Sequence, residues 1–396
     1  MELTFRWFGP NDPAKINHIR QVGVTGIVTS LNHIKYGEKW IDYEIKKRKK
    51  IINEVKSSKE LKLKWSVAES LPVHNDIKSR SGKYKYYIDQ YKDSLVNLSK
   101  NQIKTICYNF MPLIDWVRTD LNYKLKNNAI ALKYDHLKMC AFEVMILKIK
   151  DADKRYTKKQ IIKAKEIFKK MKNSEKQSLK KSLLGGLAAN DRKFSINELK
   201  YEIDKFKEIN HTDLRNNLKS FLVEIFPILR EHKIKYCIHP DDPPYNIFGL
   251  PRIMSNENDI KYLTSIFKHE NNGITLCTGS LGVDKKNNIE RIIKKYGKYI
   301  NFIHLRNIKR EKNSKNFYES SHLEGDVDMV SVIRNLLKEE KKRKKNNKID
   351  YEISMRPDHG HMILYDKQKN IIPGYSLLGR MKGLSELRGV IKSLEN

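Results

Sequence analysis

Short apolar, β-branched runs alternate along this chain with longer segments whose apolar residues recur at helical spacing. The runs Leu3–Phe8, Gly26–Leu31, Leu63–Glu69, Thr105–Phe110, Lys235–Ile238, Gly273–Cys277, Ile300–Leu305 and Tyr351–Met355 read as strands. Helical periodicity falls over Ile41–Val55, Tyr84–Lys100, Leu214–Glu231, Asp259–His269, Ile289–Tyr296 and Met329–Lys345, and a last helix, Ser376–Leu394, closes the chain. Alternation of this kind marks parallel strands joined by helical crossovers. Roughly eight strand–helix units is the count of an α/β fold of the (β/α)8 TIM-barrel type, expected here as one domain over residues 1–396. The stretch at about 112–212, after the fourth strand, is lysine-rich and mostly helical in period, with no strand run of comparable quality. It predicts a mainly helical insertion above the C-terminal face, where barrel loops build and cover active sites.

Composition narrows the class. Hydrophobic residues make up 39% of the 396 and charged residues 32%, as in a soluble protein with a heavily charged exterior. No run reaches the length of a membrane-spanning helix. The segment Met1-Glu2-Leu3-Thr4-Phe5-Arg6-Trp7 lacks the basic-then-apolar layout of a secretory signal and reads as a first strand. The four cysteines, Cys107, Cys140, Cys237 and Cys277, show no paired spacing, so free thiols in a reducing cytoplasm are expected. A formal charge of +32 ordinarily raises nucleic acid as a partner. Here the lysines decorate nearly every helix-like segment, as in Lys46–Lys50, Lys158–Lys172 and Lys341–Lys345, instead of gathering on one face. The charge therefore reads as compositional drift absorbed by solvated faces, and nucleic acid is not expected.

The chemistry concentrates at strand ends, where barrel loops converge on the axis. His239, Cys277, His304 and Asp358 fall at the ends of the fifth to eighth strands. Adjacent strands lie about 4.8 Å apart, so four neighbouring ends can surround one ion. Imidazole, thiolate and carboxylate together suit Mn²⁺, Fe²⁺ or Zn²⁺, whereas Mg²⁺ and Ca²⁺ want oxygen. One such residue alone would ordinarily be a satisfied core side chain; four at equivalent positions predict a metal site. In Arg356-Pro357-Asp358-His359-Gly360-His361, His359 follows a ligand directly and is freer to act as an acid or base. His361 is open to a ligand-orienting or a purely structural role. The loop His239-Pro240-Asp241-Asp242-Pro243-Pro244 is stiffened by its prolines beside a ligand. Arg306 and Arg356 lie two residues from His304 and Asp358, hence on the same side of their strands, and suit a substrate carboxylate. Trp7, His33, Glu69 and Asn109 at earlier strand ends are expected pocket walls, and Tyr375, on the loop after the eighth strand, is placed to deliver a phenolic proton.

Together these residues closely resemble the mannonate dehydratase family, which has a xylose-isomerase-like barrel. The resemblance runs the length of the chain, through Arg6-Trp7-Phe8-Gly9-Pro10-Asn11-Asp12-Pro13, Cys107-Tyr108-Asn109-Phe110-Met111-Pro112, the His239 and Cys277-Thr278-Gly279-Ser280 loops, His304-Leu305-Arg306, Gly325-Asp326-Val327-Asp328-Met329 and the Arg356–His361 segment. It implies dehydration of D-mannonate to 2-dehydro-3-deoxy-D-gluconate in hexuronate catabolism, with Mn²⁺ or Fe²⁺ as cofactor. It also implies His239, Cys277, His304 and Asp358 as ligands and His359 and Tyr375 as the acid–base pair. Asn32, Lys35 and Tyr318 stand where the family usually has histidine, proline and histidine. The expected partner is a small-molecule aldonic acid, with a homo-oligomer left open and neither membrane nor nucleic acid expected. Competing classes are a divalent-metal sugar isomerase, a barrel-type metal endonuclease and a basic nucleic-acid-binding protein. Cys277 argues against the isomerase, whose sites lean on carboxylates. The endonuclease needs a multi-metal cluster that these strand ends do not supply. The binding protein would form a salt-sensitive, stoichiometric DNA complex.

Overall fold

Eight parallel strands close into a barrel in the computed structural model, which describes residues 1–55, 60–185, 194–312, 314–346 and 350–395. They are β1 (Glu2–Arg6), β2 (Gly26–Thr29), β3 (Lys64–Glu69), β4 (Thr105–Tyr108), β5 (Lys235–Ile238), β6 (Asn272–Cys277), β7 (Ile300–Leu305) and β8 (Ser354–Pro357). Each strand pairs with its neighbours in sequence, and β8 closes on β1 through Glu2↔Ser354 and Leu3↔Met355. The eighth strand sits a little later than its apolar run, Tyr351–Met355, suggests. Its register is set from both sides, Ser354 lying beside Phe302 of β7 and Glu2 of β1, so hydrogen bonding and not hydrophobicity decides where it starts.

Side-chain alternation divides each strand between two cores. Val28, Val67, Cys107, Cys237 and Phe302 point inward and plug the barrel, where Thr275 Oγ1 donates to Cys107 Sγ at 3.2 Å. Ile27, Ile106, Tyr236, Ile274, Leu276, Ile303 and Met355 point outward into the main core. The helix His211–Glu231 shows how the outer layer is specified. Leu214, Leu218, Phe221, Leu222, Ile225 and Leu229 are buried along one stripe, and the Asn210 side chain caps the start by accepting from the Thr212 and Asp213 amides. Phe302 is the one aromatic side chain in the plug, directly below the strand-end residues. Phe302→Ala is expected to cost roughly 3–5 kcal/mol, read as a lower denaturant midpoint, because the closed barrel wall cannot collapse onto the void.

The insertion differs from the expected mainly helical excursion in one respect. It opens with two antiparallel strands, Asp120–Lys124 and Ile130–Tyr134, before the helices His136–Ala141, Lys158–Lys170, Asn173–Leu184 and Ile196–Asp204. Two more strands, Asn307–Arg310 and Phe317–Ser320, leave the barrel after β7 and join them in one four-stranded sheet. Asp120–Lys124 is an edge strand with no buried residue, and the sheet's central pairing, Phe317↔Tyr134, bridges distant parts of the chain. Local patterning carries little trace of such a strand. A second core, including Val117, Tyr134, Phe142, Leu179, Leu199, Phe248 and Phe317, holds sheet and helices together. Residues 186–193 of the expected insertion lie outside the described residues. All four cysteines are free and buried, and among the described residues no helix is long and apolar enough to cross a membrane.

Candidate active site

Cys277 is the last residue of β6, His304 lies within β7, and His239 and Asp358 come directly after β5 and β8. Both latter residues remain in the ladder, since the His239 amide donates to the Tyr108 carbonyl (2.8 Å) and the Asp358 amide to that of Leu305 (3.1 Å). Ligand-type atoms of His239, Cys277 and His304 all lie within 4.8 Å of one another. Asp358 joins them, one carboxylate oxygen 3.6 Å from Cys277 Sγ and the other 3.8 Å from His304 Nδ1.

The donor set fits a divalent ion. His239 Nδ1 is 2.7 Å from the Pro240 carbonyl, which can only accept, so this nitrogen donates and Nε2 is the one turned to the cluster, 3.1 Å from His304 Nδ1. Burial pushes the Cys277 thiol up to about 12, with Arg306 opposing the shift, and Ser280 Oγ donates to its sulfur at 3.2 Å. Burial alone would raise the Asp358 carboxyl, but His359, Arg356 and Arg306 together hold it well below the usual range. Two imidazole nitrogens, a sulfur and an ionised carboxylate converging in a buried place suit a first-row divalent cation.

Around this point the charges are paired. Arg306 reaches Asp242 (2.6 Å) and Asp358 (3.1 Å), and Arg356 reaches Glu69 and Asp358 (both 2.7 Å). Arg118 bridges Asp242 (2.7 Å) and Glu319 (2.8 Å), while Arg6 lies 3.8 Å from Glu69 and donates to Ser30 at 3.1 Å. Four guanidinium groups thus face four carboxylates, all buried. An anionic substrate finds no surplus positive charge in this network, and a divalent ion would add it. Gly279 lets the Arg306 side chain lie flat against the loop after β6, because a Cβ there would stand 2.1 Å from Arg306 Nε.

His359 is buried beside the cluster. Its Nδ1 lies 2.8 and 2.9 Å from the two oxygens of Glu319, and its Nε2 lies 3.8 Å from Asp358. Its ring stands edge-on to Tyr375 at 5.0 Å and to Trp116 at 6.0 Å, and Phe8 packs against Tyr375 at 4.6 Å. Burial pushes the Tyr375 phenol up, so it holds its proton at neutral pH. His361 Nε2 lies 2.9 Å from the Glu319 carbonyl, tying the loop after β8 to the accessory sheet. The last helix closes over this loop only because Gly379 has no side chain, since a Cβ there would lie 2.0 Å from the His361 carbonyl oxygen.

Of the sequence-predicted residues, the four candidate ligands, Arg306, Arg356, Glu69, His359 and Tyr375 are thus gathered at the barrel mouth. Asn109 faces the same end and donates to Asp115 at 3.0 Å. Trp7 lies in the main core with the Arg48 guanidinium 5.2 Å above its ring, and Arg6 is the side chain that β1 sends inward. His33 stands half-exposed at the rim, 2.8 Å from Glu44, lining a surface cavity of about 730 Å³ with Phe8, Arg48 and Pro373. Tyr318 stacks towards Tyr123 at 5.3 Å, on the strand face opposite Glu319. Glu319 and Arg118 escaped sequence reasoning; the one signal was that Phe317 and Glu319 share the buried face of a short alternating strand.

Donors for one divalent ion beside a buried imidazole–phenol pair define a TIM-barrel enzyme of acid–base chemistry, a lyase or an isomerase. Comparison with known proteins separates these two. The family described as D-mannonate dehydratase (UxuA) matches residues 1–396, and the chain belongs to that family. A mannonate dehydratase of Marinomonas sp. (strain MWYL1) is 46% identical over 396 residues, covering all of both chains. One of Saccharophagus degradans is 43% identical over 396 residues, covering all of this chain and 98% of that one. The crystal structure of mannonate dehydratase from Streptococcus suis serotype2 superposes with a TM-score of 0.75 at 31% identity, covering 100% of this chain and 95% of that one. The activity is accordingly that of a hydro-lyase, the dehydration of D-mannonate.

Proposed function

We propose that His239, Cys277, His304 and Asp358 hold one Mn²⁺ or Fe²⁺, and that His359 and Tyr375 exchange the protons as D-mannonate becomes 2-dehydro-3-deoxy-D-gluconate. The convergence of two imidazoles, a thiol and a carboxylate from four successive strand ends carries this reading. The C2 proton of an aldonate is only weakly acidic, because the neighbouring carboxylate is already negative. When bound, the ion supplies the surplus positive charge that neutralises this carboxylate and eases build-up of charge at C2. Arg306 and Arg356, fixed by Asp242, Glu69 and Asp358, orient the carboxylate beside it. One of His359 and Tyr375 takes the C2 proton while the other protonates the departing C3 hydroxyl. Water leaves, and the enol formed across C2 and C3 relaxes to the 2-keto acid. Phe8 and Trp116 wall this pair off from solvent.

In this reading the protein works in the cytoplasm on a small-molecule aldonate, as a step of hexuronate catabolism, and self-association is compatible with it. The test is an anaerobic assay of metal-stripped protein reloaded with Mn²⁺ or Fe²⁺. Product should be absent after stripping and return on reloading with either ion. Full activity in protein shown to be free of metal would overturn the cofactor assignment.

A further inference from the structure

We propose that Glu319 is a positioning residue for the dehydration: it locks His359 in the Nδ1–H tautomer, so that Nε2 is the nitrogen that receives the C2 proton. This rests on the acid–base reading above and assigns the base within it. Two carboxylate oxygens lie at 2.8 and 2.9 Å from His359 Nδ1, against one Arg306 nitrogen at 3.4 Å. A carboxylate only accepts, so Nδ1 must donate, and the guanidinium, itself only a donor, makes no bond to it. Burial would raise the Glu319 carboxyl, but Arg118 stands 2.8 Å and Arg306 3.7 Å from it, and these cations hold it below the usual carboxylate range.

The support for Glu319 is built to hold it still. Arg118 grips one oxygen through Nε (3.2 Å) and Nη2 (2.8 Å) and is itself fixed by Asp242. The Glu319 carbonyl lies 2.9 Å from His361 Nε2, so the strand is anchored on both sides of His359. Both partners come from outside the barrel proper, Glu319 from the accessory strand Phe317–Ser320 and Arg118 from the start of the insertion. The accessory sheet therefore sets the orientation of the base, besides covering the site.

With Nδ1–H donated to Glu319, Nε2 is the nitrogen turned to the Asp358 side of the pocket, 3.8 Å from that carboxylate. In the step, the C2–H bond breaks and its proton goes to Nε2, while the electron pair forms the C2=C3 bond. The C3–O bond breaks, and the oxygen leaves as water with the proton of Tyr375. No electron acceptor is required, and the imidazolium so formed sits between two carboxylates, Glu319 and Asp358.

The test compares Glu319→Gln, Glu319→Asp and His359→Asn in metal-loaded protein. Glu319→Gln, whose amide can also donate to Nδ1 and so permits the wrong tautomer, should lower kcat at least roughly 100-fold. KM and metal content should stay within about threefold, and ¹⁵N resonances of histidine-labelled protein, assigned by their loss in His359→Asn, should show the tautomer shifting. Glu319→Asp keeps the charge and should retain the native ¹⁵N pattern with a smaller fall in kcat; it carries the test should the Gln variant fail to fold. Near-native kcat in Glu319→Gln, or a fall with the native tautomer intact, overturns the role of Glu319. If His359→Asn is itself fully active, the acid–base reading fails first.

Discussion

His359→Asn is expected to lower kcat by about 10³–10⁴-fold while metal content and fold stay normal. Asparagine retains a polar group able to bond the Glu319 carboxylate, so the buried ion network around Arg118 and Arg306 keeps its partners. What it removes is the imidazole that stands between Glu319 and Asp358 beside the cluster. Asp358 does not depend on the neighbouring imidazole for its place. Arg356 and Arg306 bind its carboxylate at 2.7 and 3.1 Å, and its amide stays in the barrel ladder. Steady-state kinetics beside metal analysis decides the matter. Turnover within tenfold of the unmodified enzyme would remove His359 from the chemistry and leave Tyr375 as the main candidate.

Cys277→Ser is expected to lose metal, and activity with it, while remaining folded. The change is nearly isosteric, and the hydroxyl can take the place of the sulfur in the contacts with Ser280 and Asp358. A thiol held up by burial would release its proton to solvent on binding a cation, whereas a hydroxyl scarcely ionises and is a poorer donor to Mn²⁺ or Fe²⁺. Groups that only orient a ligand cost about 10–100-fold in metal affinity when removed, so loss of a donor should cost more than about 100-fold. Equilibrium dialysis against a competing chelator reads this directly. Undiminished affinity in the serine variant would mean that three donors suffice and that Cys277 serves the packing beneath them.

The barrel and its chemistry were legible for one reason. Strands buried on both faces leave continuous apolar runs, and in this fold the residue ending each run sits at the mouth of the barrel. His239, Cys277, His304 and Asp358 could therefore be placed together before any coordinate was known. Arg306 and Arg356 followed from strict side-chain alternation along β7 and β8. The same alternation separates Arg6 from Trp7, and there the first strand's own inward residue decides which of two adjacent side chains sees the site.

The accessory sheet left no such trace. Asp120–Lys124 is polar and exposed, held by its hairpin neighbour Ile130–Tyr134, which pairs in turn with Phe317–Ser320 from far along the chain. Glu319 and Arg118 belong to that level of organisation. Their neighbours in sequence say nothing about His359, and they meet it only when two excursions from the barrel, one after β4 and one after β7, pair above its mouth. The sequence by itself thus determined the barrel and the gathering of His239, Cys277, His304 and Asp358 at its mouth, because each is encoded in local periodicity and its end points. Which nitrogen of His359 meets Glu319, and how the arginines balance the carboxylates, was decided only by the tertiary structure, because such contacts depend on groups brought within 3 Å across large separations in the chain.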